Sequence, residues 1–273
     1  MSRSLKPSTK PPAVAPPARS RYVLPFILIV VLAVLAVIVM ALPASMVKRY
    51  LPPAVSAEDF SGTVWHGSAG TITANGTNVG ALEWHLHPWA LLHLTLPADL
   101  HWVKGGFVAD GAAEVTRHDL TLHGVQGGGP IEELADLGIA AGWRGMVTFK
   151  FNELKATLTP AMLVSAIGDV SVSNLASQQV ANGADLGGYA LHMANGAITP
   201  DTDATAELHD TGGPLEVKAT IHLSADGHTG MVSGTVKERP DAPPALRGQM
   251  ENLEQMQVRD AQGRIPVELE FTL

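Results

Sequence analysis

From residue 60 onward, apolar side chains recur at every second position. Leu82, Trp84 and Leu86 alternate with Glu83, His85 and His87. Leu120 and Leu122 alternate with Thr121 and His123, and Val147, Phe149 and Phe151 with Thr148, Lys150 and Asn152. The same pattern returns in Leu215, Val217, Ala219, Ile221 and Leu223, and again in Ile265, Val267, Leu269 and Phe271. A period of two puts apolar groups on one face of a strand and polar groups on the other. Asn75-Gly76, Asn182-Gly183, Asp226-Gly227 and Gln262-Gly263 read as turns between such strands. The predicted fold class is mainly β: a curved antiparallel sheet with one apolar and one wet face. Helical spacing is sparse. It predicts helices over 130–141 (Ile131, Leu134, Leu137), 160–167, with Pro160 first, and 243–257 (Leu246, Met250, Leu253). One further turn is expected at 87–92.

A weak repeat runs through the pattern. Ala74-Asn75-Gly76-Thr77-Asn78-Val79-Gly80 is echoed 107 residues later by Ala181-Asn182-Gly183-Ala184-Asp185-Leu186-Gly187. It carries Leu82 onto Tyr189, Trp84 onto Leu191 and Leu86 onto Met193. Two readings stand at this point: a duplicated domain with halves 58–158 and 159–273, or a chance match between two turns.

The first residues differ sharply from the rest. Residues 23–42 carry no charged or strongly polar side chain. Twenty residues at 1.5 Å rise span roughly 30 Å, the hydrocarbon thickness of a bilayer. They predict one transmembrane helix. A cleaved signal peptide fits poorly, because the apolar run is too long and Leu42-Pro43-Ala44 is a weak cleavage site. Residues 1–22 hold Arg3, Lys6, Lys10, Arg19 and Arg21 and no acid, so the tail belongs in the cytoplasm by the positive-inside rule. Its prolines and polar residues predict a disordered stub. Residues 43–57, with Pro43, Pro52 and Pro53, read as a stiff spacer. Residues 58–273 are then a periplasmic, β-rich domain of a single-pass inner-membrane protein.

Charge narrows the partners. Net charge is −8, and removing the basic tail leaves 13 basic and 26 acidic residues. Such a surface repels nucleic acid and anionic headgroups. The chain has no cysteine, which excludes a lipoprotein anchor, disulfides and thiolate metal sites.

Candidate chemistry is thin. His85 and His87 share a strand face, and His93 and His101 lie near in sequence, but no third ligand is legible. These histidines read as solvent-facing. There is no G-x-S-x-G elbow, and Gly127-Gly128-Gly129-Pro130 lacks the ending of a phosphate loop. The sequence predicts no catalytic residue, no cofactor and no metal site. The tryptophans carry more. Trp65, Trp84, Trp89 and Trp102 lie within 38 residues. Trp84 alternates inward with Leu82 and Leu86, so core packing is the default role; lining the concave face of an open sheet is the alternative, which makes these six the candidate interaction or groove residues.

The blocks around these tryptophans resemble a known family. Gly62-Thr63-Val64-Trp65-His66-Gly67-Ser68-Ala69 is similar to the opening motif of type II secretion system protein N, and Gly80-Ala81-Leu82-Glu83-Trp84-His85-Leu86-His87-Pro88 resembles its next strand. Gly212-Gly213-Pro214-Leu215, the segment Arg239-Pro240-Asp241-Ala242-Pro243-Pro244-Ala245-Leu246 and the ending after Gly263-Arg264 are similar to its second half. Family members tend to carry Arg where His85 and His87 stand. The resemblance implies a non-enzymatic inner-membrane accessory of the machine that moves folded proteins from the periplasm across the outer membrane. Its implied partners are other components of that machine. The family also looks like AsmA-like proteins, whose curved sheets offer a hydrophobic groove, so an alternative is a periplasmic binder of lipid or another hydrophobic ligand.

Overall fold

The structure is a computed structural model and describes residues 37–51, 53–88, 96–137, 142–158, 161–195, 204–224, 229–254 and 257–272. Two units separate at residue 41. In the first, residues 37–40 form a helical turn with exposed Val37, Ile38, Val39 and Met40. Most of the expected membrane helix lies outside the described residues. Among those described, no helix is long and apolar enough to cross a membrane.

The second unit is one antiparallel sheet of fourteen strands. The first seven are β1 (Val55–Gly62), β2 (His66–Ala74), β3 (Thr77–Leu86), β4 (Leu96–Lys104), β5 (Phe107–Val115), β6 (Asp119–Pro130) and β7 (Trp143–Leu158). Then come β8 (Ala161–Ser177), β9 (Val180–Asp185), β10 (Gly188–Asn195), β11 (Ala204–Gly212), β12 (Leu215–Leu223), β13 (Thr229–Glu238) and β14 (Ile265–Thr272). Each strand pairs with the next, except that β10 returns to β8 and β9 pairs only with β8. The sheet is open, with β1 and β14 as edges.

The registers confirm the period-two reading. Leu82, Trp102, Ala109, Gly127, Phe149, Val170, Leu191, Leu208, Ala219 and Gly234 are successive cross-strand partners in one continuous row. All lie on one face. The opposite face carries His85, Asp99, Lys150, Asp169, His192, Glu207, Lys218 and Glu268. Ordinary domains bury such a face against a second layer. Here the only covers among the described residues are three short helical segments.

A 3-10 helix at Ala44–Tyr50 packs on β1 and β2. A second, at Ile131–Leu137, touches β3, β6 and β7. Contact with both β3 and β7, four strands apart, requires the sheet to curl around it. The α-helix Pro244–Glu254 turns Leu246 and Met250 inward; Leu246 packs on Leu186, Ala242 and Trp143. The second 3-10 helix replaces the α-helix expected over 130–141, since Pro130 still belongs to β6. The helix expected over 160–167 is overturned: Ala161–Ser177 is strand β8. Eight residues make a marginal helix, whereas β7 offers them a full row of backbone partners, from Leu158↔Ala161 to Lys155↔Ser165. The expected turn at 87–92 lies mostly outside the described residues, as does Asp226-Gly227. The segment read as a spacer is folded, with Ala44 buried and β1 starting at Val55.

The repeated heptads adopt one backbone. Asn75 and Asn182 have φ of 50° and 53°, and Gly76 and Gly183 have 83° and 81°. In each, a side-chain oxygen two residues back accepts from a glycine N–H at 2.8 Å: Asn78 for Gly80, Asp185 for Gly187. The match continues along the chain. β4 and β11 start at Leu96 and Ala204, and β5 and β12 at Phe107 and Leu215, an offset one residue longer than that of the heptads each time. The two stretches form one sheet.

Because neighbours alternate in direction, the ends of β4, β6, β11 and β13 lie at one end of the sheet. That end carries the Ile131–Leu137 and Pro244–Glu254 helices. It also carries charges on the apolar face, each paired. Lys104 meets Asp136 at 3.6 Å, and Glu238 meets Arg259 at 3.1 Å. Asp210, whose side chain is 8% exposed, receives Arg239 at 2.5 Å. Arg239 also donates to the carbonyls of Gly213 (2.6 Å) and Leu215 (3.1 Å), and its own N–H bonds Pro214. Burial disfavours the Asp210 carboxylate, but the Val217 N–H and the guanidinium outweigh it and hold its pKa below the ordinary value. A carboxyl held low stabilises the fold above the ordinary carboxylate range, and that contribution fades as pH falls through the folded value. Arg239→Ala should therefore cost roughly 2–3 kcal/mol in denaturant unfolding at pH 7, since it strands a buried charge. The deficit should shrink on acidification towards pH 3 as Asp210 protonates.

Candidate functional site

The apolar face is built from alternate residues of every strand on the main path, and its large side chains are only half-buried. Fully buried positions are mostly small: Ala57, Ala69, Ala98, Ala113, Ala166, Ala204 and Ala206. Trp84, Trp102, Phe149, Phe151, Leu191, Leu208, Ile221 and Val232 keep intermediate exposure, and Leu269 on β14 is 60% exposed. The face is thus a contiguous, partly exposed apolar surface.

Aromatic rings line its first half. Phe60 meets Trp84 edge-on at 6.4 Å, and Trp102 meets Phe107 at 5.5 Å. Phe107 stacks near Phe149 at 6.0 Å, which lies 5.8 Å from Phe151. Phe107 is the buried member, 3% exposed under the Ile131–Leu137 end.

Two of the tryptophans are held by their polar atoms. The Trp84 indole N–H donates to the Val64 carbonyl, and that of Trp102 to the Val79 carbonyl, each at 2.9 Å. Glycines make room for them. Gly67 pairs with Trp84 across β2 and β3, and a Cβ there would come within 2.7 Å of the indole ring. Gly80 has φ +114°, and a Cβ there would strike the Val103 carbonyl at 2.4 Å. The motif residues Gly62 to Trp65 form the β1–β2 turn, where the Thr63 N–H bonds the His66 carbonyl at 2.7 Å. The Val64 N–H bonds the Leu42 carbonyl at 2.8 Å, and Pro43 bridges Thr63, so the start of the unit is tied to this turn.

Of the six candidate residues, Leu82, Trp84, Leu86 and Trp102 share the apolar face on adjacent strands. Trp65 is buried in the turn, 8% exposed, with its carbonyl accepting from the Leu86 N–H. Trp89 lies outside the described residues. Sequence reasoning placed Leu191 and the Leu215–Leu223 and Ile265–Phe271 alternations in the second half, but left out Leu208 on β11, although the same alternation marks it.

The polar face gathers histidines beside carboxylates. His101 bonds Asp110 at 2.6 Å and His192 bonds Asp169 at 2.7 Å. His66 and His85 line a depression of about 530 Å³ that also borders Asp99 and Glu83, and the His87 ring stacks on that of His85.

Fold and face define a class: single-layer antiparallel sheets that curl around an open apolar surface. The family model for type II secretion system (T2SS), protein N, matches residues 53–268, and the chain belongs to that family. No curated protein and no solved structure matches it significantly. The matched region takes in both tryptophan blocks and the Arg239 clamp.

Gly67→Ala should cost roughly 1–3 kcal/mol by overpacking. In a double-mutant cycle with Trp84→Leu, the two changes should couple by at least ~0.5 kcal/mol. The remaining cost reflects the Thr63 carbonyl, 2.5 Å from the same Cβ.

Proposed function

We propose that this protein is a non-enzymatic accessory of the type II secretion system, anchored in the inner membrane by residues 23–42 with its sheet in the periplasm. The observation that carries the proposal is the family match over 53–268. The physical form of the domain supports it. An open sheet has two edges with unpaired backbone groups, and β1 and β14 are available for strand addition by a partner. The basic tail and the apolar run support the orientation. The role is then to dock with channel or inner-membrane platform components while folded cargo waits in the periplasm.

Deleting the gene should reduce secretion of at least one cargo or lower the level of a partner component. Unchanged secretion and unchanged partner levels would refute the accessory role. For the orientation, alkaline phosphatase fused after Leu273 should be active, because that enzyme works only after export; an inactive, stably made fusion would reverse the topology.

A second reading rests on the half-buried apolar face. In it the sheet holds a lipid or another hydrophobic ligand, as in AsmA-like architectures. The Ile131–Leu137 and Pro244–Glu254 covers sit at one end of the sheet with the Lys104, Asp210 and Glu238 ion pairs. The other end is the one tied to Leu42 and Pro43, next in sequence to the expected anchor. That arrangement favours access from the membrane side. Native mass spectrometry of the full chain, extracted with mild detergent, should then show bound phospholipid that a Leu191→Glu/Leu208→Glu variant lacks. Equal lipid on both proteins would count against a groove.

A further inference from the structure

We infer that the polar face carries a binding site for a divalent transition-metal cation, with zinc as the ion, formed by His85, His87 and Asp99, with His66 beside them. These residues come from three strands and meet through the sheet register. His66 on β2 is the cross-strand partner of His85 on β3, and His85 is in turn the partner of Asp99 on β4. His87 follows two positions after His85 on the same face. The sequence pattern offered only the His85–His87 pair; the register adds a carboxylate and a third imidazole.

The geometry is that of a ligand set. One ligand atom from each of His85, His87 and Asp99 lies within 4.8 Å of the others. The His85 and His87 rings stack at 4.7 Å with 11° between planes, and the His66 ring centroid is 3.7 Å from that of His85. His87 Nε2 already points at Asp99 Oδ2, 3.7 Å away. Zinc binds imidazole nitrogen at about 2.0–2.1 Å and carboxylate oxygen at about 2.0–2.2 Å, so tetrahedral ligand atoms stand roughly 3.3 Å apart. The present spacing needs a closure of about 1–1.5 Å by that comparison. His87 and Asp99 are 48% and 62% exposed, and free rotamers supply that movement without disturbing the sheet.

Electrostatics favours a cation here. Glu83 and Asp110 border the same depression and add negative potential. Nitrogen and oxygen donors without thiolate suit zinc and its borderline neighbours rather than calcium or magnesium, which prefer all-oxygen shells. Solvent reaches the site, so the ion keeps an open position for water or for a donor from a partner protein.

The test is zinc titration of the full chain in detergent, stripped of metal beforehand and followed by isothermal calorimetry. One site is expected in the wild type. His85→Ala/His87→Ala should weaken it by more than ~10-fold, and Asp99→Asn should weaken it less. His209→Ala/His222→Ala, which removes two histidines elsewhere on the same face, should leave it unchanged. Cobalt substitution supplies a second measurement that needs no variant: the wild type should show the intense visible bands of a four-coordinate nitrogen–oxygen site. The inference is overturned if the wild type shows weak octahedral cobalt bands only, if both double variants bind zinc as the wild type does, or if both lose it equally.

Discussion

A fourteen-stranded sheet only one layer thick must deal with one apolar face that nothing else among the described residues is large enough to cover. Each fully buried large side chain is worth roughly 1.5–3 kcal/mol, and most of the large residues here collect only part of that. The molecule reduces the deficit by curling. Small residues, chiefly alanine, occupy the fully buried positions, where neighbouring strands crowd most closely. The bulky aromatics and leucines sit beside them and shield one another. Twist and bulges help: register breaks fall in β2, β5, β7, β8 and β10, each a place where a strand can bend more sharply.

Seen against this constraint, the family's motif residues are mostly structural. Gly67 clears the space into which Trp84 lies, and Val64 supplies the carbonyl that holds its indole. Gly213 and Arg239 belong to one clamp: the arginine gathers the carbonyls after β11, pairs with Asp210, and leads directly into the helix that covers Leu186. Soft motifs of Gly, Trp and Leu are what such a fold needs, because its critical contacts are between backbone and ring rather than between reactive side chains. The same fact explains why these motifs suggested a family without suggesting a chemistry.

Much of the sheet was legible in the chain, because a half-exposed strand must alternate and each slip by one residue would turn the wrong face to water. Leu82, Trp84 and Leu86 were placed correctly on that ground alone. β8 was missed because Met162, Leu163 and Val164 are consecutive apolar residues after a proline, a run that strand and helix share. Only the long edge of β7 decides between them. The metal-site residues were illegible for a different reason. His66 and Asp99 are 19 and 14 residues from His85, and what joins them is register, set by the Thr63–His66 turn and the β3–β4 pairing.

The repeat adds an asymmetry. The matched heptads at Ala74 and Ala181 keep the same left-handed turn and the same side-chain brace, and β4 and β5 match β11 and β12 in spacing. The framework is thus common to both stretches, but the side chains have parted. The aromatic row, Phe60 to Phe151, and the histidine cluster belong to the first. The arginine-centred ion pairs, at Arg239 and Arg259, belong to the second. One half thus carries the aromatic row and the histidines, and the other the arginine-centred ion pairs. A curled single layer permits this division, since no second layer couples the side-chain choices on one half to those on the other.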